Sequence, residues 1–180
     1  MKNLPNILST FRIMLVPLFV WAFLGLGNIT LACSIYVLAG VTDVIDGYIA
    51  RKYNLITKIG MILDPLADKL LQLTAIATIA IWGITFMWFV FGVLLIKEIL
   101  MVVGGILLYK RKDIVVPAVW YGKVSSMYLF VMAFVIITCR NYLPESILIA
   151  LASSALAFCV FAWIGYMLNF KAVFKKGKSK

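Results

Sequence analysis

The chain has 180 residues, 64% of them apolar and 13% charged, and a mean hydropathy of +1.07. A soluble domain carries about half apolar and about a quarter charged residues, so this composition excludes an ordinary soluble globular protein and makes the bilayer the solvent. The 17 Lys and Arg against 7 Asp and Glu leave +10, which in so apolar a chain sets topology and meets anionic headgroups rather than nucleic acid; the absence of histidine removes imidazole acid–base catalysis, phosphohistidine chemistry and His-ligated zinc.

At the start of the chain, Leu4 to Thr10 is compatible with a short interfacial helix, with Ile7, Leu8 and Phe11 near one face and Pro5 in its first turn. Uncharged stretches then run from Ile13 to Thr42, Leu70 to Ile96, Val124 to Cys139 and Ser146 to Phe170. Alone or with their flanks, they are long enough for helices of about 20 apolar residues. Gly25-Leu26-Gly27-Asn28 supplies a turn that divides the first. Spans are therefore expected at 11–27, 30–51, 60–82, 86–108, 117–138 and 146–170. That is an all-α integral membrane protein, six helices in one bundle, with a single domain over 1–180. Six spans put both termini on one side, which collects Lys2, Arg12, Arg51, Lys52, Lys58, the run Lys110-Arg111-Lys112 and the Lys-rich tail from Lys171. The other side has Arg140, so the positive-inside rule makes both termini cytoplasmic. The first span reads as retained, because Gly-Leu-Gly-Asn and another span follow it without a clear small-x-small cleavage site. The tail reads as a solvated end resting on anionic lipid. Cys33, Cys139 and Cys159 lie far apart with no CxxC spacing and read as small buried apolar residues. Trp82, Trp88, Trp120 and Tyr121, near helix ends, read as interfacial anchors.

Four of the seven acidic residues, Asp43, Asp46, Asp64 and Asp68, fall within 26 positions. A carboxylate inside a membrane segment costs roughly 2.5–3.5 kcal/mol on insertion scales, so four together need partners, a metal ion or a wet cavity. Asp43 and Asp46 are i and i+3 near the end of the second helix, with Gly47 and Ala50 continuing their face. Asp64 and Asp68 are i and i+4 at the start of the third, with Gly60 one turn earlier. The loop from Lys52 to Ile59 reverses the chain, so the two pairs can converge at similar depth. Four oxygen donors without histidine suit hard cations such as Mg²⁺, Mn²⁺ or Ca²⁺. Two such ions would clamp a pyrophosphate during in-line displacement, and the small residues would let a bulky ligand approach the backbone.

From Asp43 to Asp68 the chain reads D-x-x-D-G-x-x-A-R-x8-G-x-x-x-D-x-x-x-D, which resembles the signature of the CDP-alcohol phosphatidyltransferases. Members of that family move a phosphatidyl group from a CDP-linked lipid to an alcohol and release CMP. The opening Leu4-Pro5-Asn6-Ile7-Leu8-Ser9-Thr10-Phe11-Arg12, with Pro17 following, is similar to the start of its bacterial phosphatidylglycerophosphate and cardiolipin synthases. The resemblance implies CDP-diacylglycerol as donor and glycerol 3-phosphate as acceptor, in a homodimer in the plasma membrane with its site facing the cytoplasm. It further implies two Mg²⁺ ions, or Mn²⁺, held by Asp43, Asp46, Asp64 and Asp68, with Asp68 also the catalytic base. Gly47, Ala50, Arg51, Thr57 and Gly60 would line the CDP site.

For the acceptor phosphate the leading cation is Lys123, in a Gly-Lys followed by Ser125 and Ser126 that resembles the synthases. Arg111, in a cluster that also reads as a topology signal, and Arg12, facing either the site or headgroups, are the others. Lys97 and Glu98 stand in the fourth helix, where adjacent residues do not face each other, so each is expected to pair elsewhere in the bundle. Lys69 points about 100° away from Asp68, toward lipid phosphate or another carboxylate. The same chemistry with phosphatidylglycerol, an inositol phosphate or serine as acceptor is the alternative. A divalent-cation transporter is the alternative of another class.

Overall fold

The computed structural model describes residues 4–52, 60–109 and 120–177, with side chains at 7–49, 52, 63–103 and 124–165. Among the described residues every regular element is helical. In chain order they are α1 (Leu4–Val20) with a π-helical turn (Trp21–Gly25), α2 (Ile29–Lys52), α3 (Gly60–Ile81), α4 (Phe86–Tyr109), α5 (Trp120–Cys139) and α6 (Glu145–Gly177). Four carry stretches long and apolar enough to cross a membrane: Ile7–Gly25, Ile29–Ile49, Phe86–Val103 and Glu145–Gly165. The described part of α5 is apolar but shorter, and α3 carries Asp64, Asp68 and Lys69 in its first half.

Leu4–Thr10 and the first span are one continuous helix, since nothing between Asn6 and Val16 breaks it and Pro5 sits in the first turn, where its missing N–H costs nothing. The expected turn at Gly25–Asn28 is present. Leu26 N–H bonds back to Trp21 at 3.0 Å, Gly27 takes φ 62°, and Asn28 Oδ1 accepts from Leu31 N–H at 3.0 Å as the cap of α2. At the far end α6 runs on to Gly177. Lys171, Lys175 and Lys176 therefore extend a helix rather than forming a separate tail, because lysine and alanine favour helix and neither proline nor glycine stands between Gly165 and Gly177.

α1 packs on α2 and α3, α3 on α4, α5 on α6, and α2 and α3 meet α5. The core between them is built from alanine and aromatic side chains, among them Phe19, Ala22, Ala32, Tyr36, Ala39 and Ala75, all fully buried; small residues let helices approach closely in a bilayer. The outward faces are apolar, as with Val44, Met127 and Phe161, each about 70% exposed, the pattern of a surface solvated by lipid. At the Arg140 end the guanidinium lies 4.6 Å from the Trp82 ring centroid, and Trp82 meets Phe23 edge-on at 4.7 Å. The cysteines are free, with Cys159 buried and Cys33 and Cys139 half-buried.

One close approach between α2 and α5 is built on glycine. A Cβ at Gly40 would stand 2.4 Å from Phe130 Cζ, and that ring is held flat against Tyr36 at 4.3 Å. Gly40→Ala is therefore expected to destabilise the fold by about 1–3 kcal/mol through overpacking. Thermal unfolding in detergent checks this, and an unchanged midpoint would mean that the ring swings aside freely.

Candidate functional site

Asp43 and Asp46 lie near the end of α2, and Asp64 and Asp68 near the start of α3. α1 runs alongside both and presents Ser9 and Arg12, one turn apart, to the same place. Arg12 is 0% exposed. Its Nη1 lies 2.7 Å from Asp43 Oδ1, and its Nη2 donates to Asp46 Oδ2. Ser9 Oγ donates to Asp64 Oδ1. One face of α1 thus engages three of the four carboxylates, and a fork-shaped guanidinium suits a pair at i and i+3. Asp46 is nearly sealed at 4% side-chain exposure, whereas the Asp43 side chain is 46% exposed.

Asp68 has different company. Gln72, one turn on, donates from Nε2 to Asp68 Oδ1 at 3.2 Å and to the Ser126 carbonyl at 3.4 Å, so α3 and α5 meet at the carboxylate. Lys69 Nζ stands 3.7 Å from Asp68 Oδ2, donates to Ser126 Oγ at 3.0 Å and lies 3.4 Å from Glu98 Oε1. The carboxylate expected to meet Lys69 is Glu98. Glu98 is also 2.7 Å from Lys97 Nζ, so these neighbours do pair with each other. The long lysine stem bends around the helix to do so, and the rule that adjacent residues diverge holds for Cβ directions, not for the end of a flexible chain.

The carboxylates share one field: Asp46 feels the charges of Asp43 and Asp64, and Asp68 that of Asp43. As a donor set, four carboxylates fit a hard divalent cation. Among the described residues no three acidic or cysteine side chains converge closely enough to hold one; their oxygens are engaged by Arg12, Ser9 and Gln72 instead. The arrangement is a cluster of carboxylates, three of them held by donors from α1 and the fourth by Gln72.

The model of the CDP-alcohol phosphatidyltransferases matches residues 2–169. The chain belongs to the CDP-alcohol phosphatidyltransferase family. Together with its four long apolar helices, membership makes it a multi-pass membrane protein. It is similar to CDP-diacylglycerol–glycerol-3-phosphate 3-phosphatidyltransferases. The one from Aquifex aeolicus is 31% identical over 97% of this chain and 99% of that protein. That from Bacillus subtilis is 34% identical over 70% of this chain and 72% of that protein. That from Rickettsia felis is 51% identical over a shorter stretch, 39% of this chain and 40% of that protein.

In this family member Gly47 follows Asp46 on α2 and is half-buried. Ala50 and Arg51 lie in the last turns of α2, Gly60 opens α3 and Lys123 lies in the first turn of α5, with side chains outside the described set. Thr57 and Arg111 fall outside the described residues. Arg12 faces the site rather than headgroups. Its Nε is buried without a hydrogen-bond partner, and its full burial keeps it from an incoming acceptor phosphate unless α1 shifts. Sequence reasoning did not single out Ser9 and Gln72. Each had a signal: Ser9 stands one turn before Arg12 in an apolar helix, and Gln72 stands at i+4 from Asp68, a spacing at which an amide reaches a carboxylate.

Proposed function

We propose that this chain transfers the phosphatidyl group of CDP-diacylglycerol to glycerol 3-phosphate, giving phosphatidylglycerophosphate and CMP. The observation that carries this reading is the gathering of Asp43, Asp46 and Asp64 about Arg12 and Ser9 of α1, in a chain that aligns over 97% of its length with a relative named for that reaction. The acceptor hydroxyl oxygen attacks the phosphatidyl phosphorus, the bond from phosphorus to the CMP oxygen breaks, and Asp68 takes the hydroxyl proton. Mg²⁺, held as two ions by Asp43, Asp46, Asp64 and Asp68, would supply charge neutralisation of the diphosphate and polarise the hydroxyl. Gly47, Ala50 and Gly60 leave room for the cytidine diphosphate, Arg51 offers its fork to phosphate and Thr57 a hydroxyl to the nucleotide. Lys123 and Arg111 offer positive charge to the acceptor, and Arg12 orients Asp43 and Asp46.

In this reading all six helices cross the plasma membrane within a single domain, and the chain works as a homodimer. α3 supports the span count because it packs between α1 and α4, both of which carry membrane-length stretches. The basic residues in the connections on the Asp-bearing side support a cytoplasmic site and cytoplasmic termini. Chelation of divalent ions is expected to abolish CMP release by the purified protein, with Mg²⁺ restoring it. Full release in the presence of chelator would remove the metal from the reading. Dependence of CMP release on glycerol 3-phosphate tests the reaction itself.

A further inference from the structure

We propose that Lys69 binds the phosphate of the acceptor alcohol and that Glu98 is the positioning residue that holds Lys69 there. This rests on the reaction proposed above. Among the described residues, Lys69 is the one cation within ion-pair distance of Asp68, at 3.7 Å. An ammonium has three donors. One is used at 3.0 Å on Ser126 Oγ, while Asp68 and Glu98 stand at 3.7 and 3.4 Å, longer than a good hydrogen bond to a carboxylate.

The ion pairs around Lys69 leave it loosely held. Glu98 has a tighter partner in Lys97 at 2.7 Å, and the two lysines balance Glu98 and Asp68 in charge, so Lys69 can turn to a further anion without either carboxylate losing its nearest contact. Lys69 and Asp68 are open at 26% and 29%, whereas Lys97 and Glu98 are more enclosed at 14% and 16%. The ammonium is therefore about as accessible as the carboxylate beside it.

An anionic acceptor entering a site of four carboxylates meets repulsion that only nearby cations offset. Its attacking hydroxyl must come to Asp68, and in a three-carbon phosphate the anionic end lies within a few bonds of that hydroxyl. Lys69 is at that distance. Glu98 matters because without it the ammonium would close onto Asp68, joining the base and the phosphate ligand in one ion pair. Ser126 fixes the third direction, from α5.

Steady-state CMP release at varied glycerol 3-phosphate tests this, with inorganic phosphate as a competing anion. In Lys69→Gln, the KM for glycerol 3-phosphate is expected to rise about tenfold or more, the loss of one charge-assisted hydrogen bond. The KM for CDP-diacylglycerol should stay within about twofold, which also reports that the variant is folded, and competition by inorganic phosphate should weaken in parallel. Lys69→Arg should recover part of the loss. Glu98→Gln should raise the same KM by less, about threefold to tenfold, with kcat changed less than KM. A KM for glycerol 3-phosphate unchanged in Lys69→Gln, or a fall in kcat alone, would overturn the assignment while leaving the reaction intact. No release from the wild-type protein with this acceptor would overturn the reaction, and the assignment with it.

Discussion

Asp68→Asn is expected to lower turnover for CMP release by roughly 10²–10⁴-fold, the usual contribution of a positioned general base. The side chain keeps its shape and can still meet Gln72, which now donates to Asp68 at 3.2 Å, so the fold should survive. What disappears is the negative charge and the capacity to hold the acceptor proton, and the chain has no histidine to substitute. Asp46→Asn should also inactivate, for a different reason. Asp46 is sealed against Arg12, out of reach of an acceptor, so its loss acts through the metal ions it would hold and the placement of its neighbours. The two variants separate in a binding measurement: Asp68→Asn should retain CDP-diacylglycerol, and Asp46→Asn should bind it more weakly. Turnover of Asp68→Asn within tenfold of wild type would remove Asp68 as the base.

The largest expected effect on stability belongs to Arg12→Ala. Removing one partner of a buried ion pair typically costs about 3–5 kcal/mol, because the other charge is left without compensation in a poor solvent. Here two carboxylates lose the same guanidinium, and a fully buried side chain leaves a void between α1 and its neighbours. Thermal unfolding in detergent should show a large drop in midpoint. Arg12→Lys should recover only part of it, since a single ammonium cannot serve both Asp43 and Asp46 with the geometry of a fork. A midpoint unchanged in Arg12→Ala would show that water already compensates the carboxylates and that α1 is not anchored there.

The helices were legible because long uncharged runs make up most of each span, and Gly-Leu-Gly-Asn marked the turn where Gly27 takes a positive φ. The carboxylate pairs were legible for a similar reason, since four Asp at helical spacing in so apolar a chain call for a shared cause. The partners of those carboxylates were not. Ser9 and Asp64 are 55 positions apart, Arg12 and Asp46 are 34, and no local pattern says which face of α1 turns toward α2 and α3. Lys97 shows the same limit at short range. Backbone direction predicted separate partners, whereas the flexible end of the side chain reached the adjacent Glu98. The helix ends erred where no breaker stands: the opening segment merged into α1, and α6 continued through the lysines.

Transfer of a phosphatidyl group to glycerol 3-phosphate is the reaction proposed for this site. The most direct test is the mass of the lipid formed by the purified protein from CDP-diacylglycerol and Mg²⁺, with glycerol 3-phosphate, phosphatidylglycerol, inositol phosphate or serine supplied singly. Phosphatidylglycerophosphate and an equal amount of CMP are expected with glycerol 3-phosphate alone, both falling by about a hundredfold or more with Asp68→Asn. A lipid product with another acceptor and none with glycerol 3-phosphate would contradict that reaction.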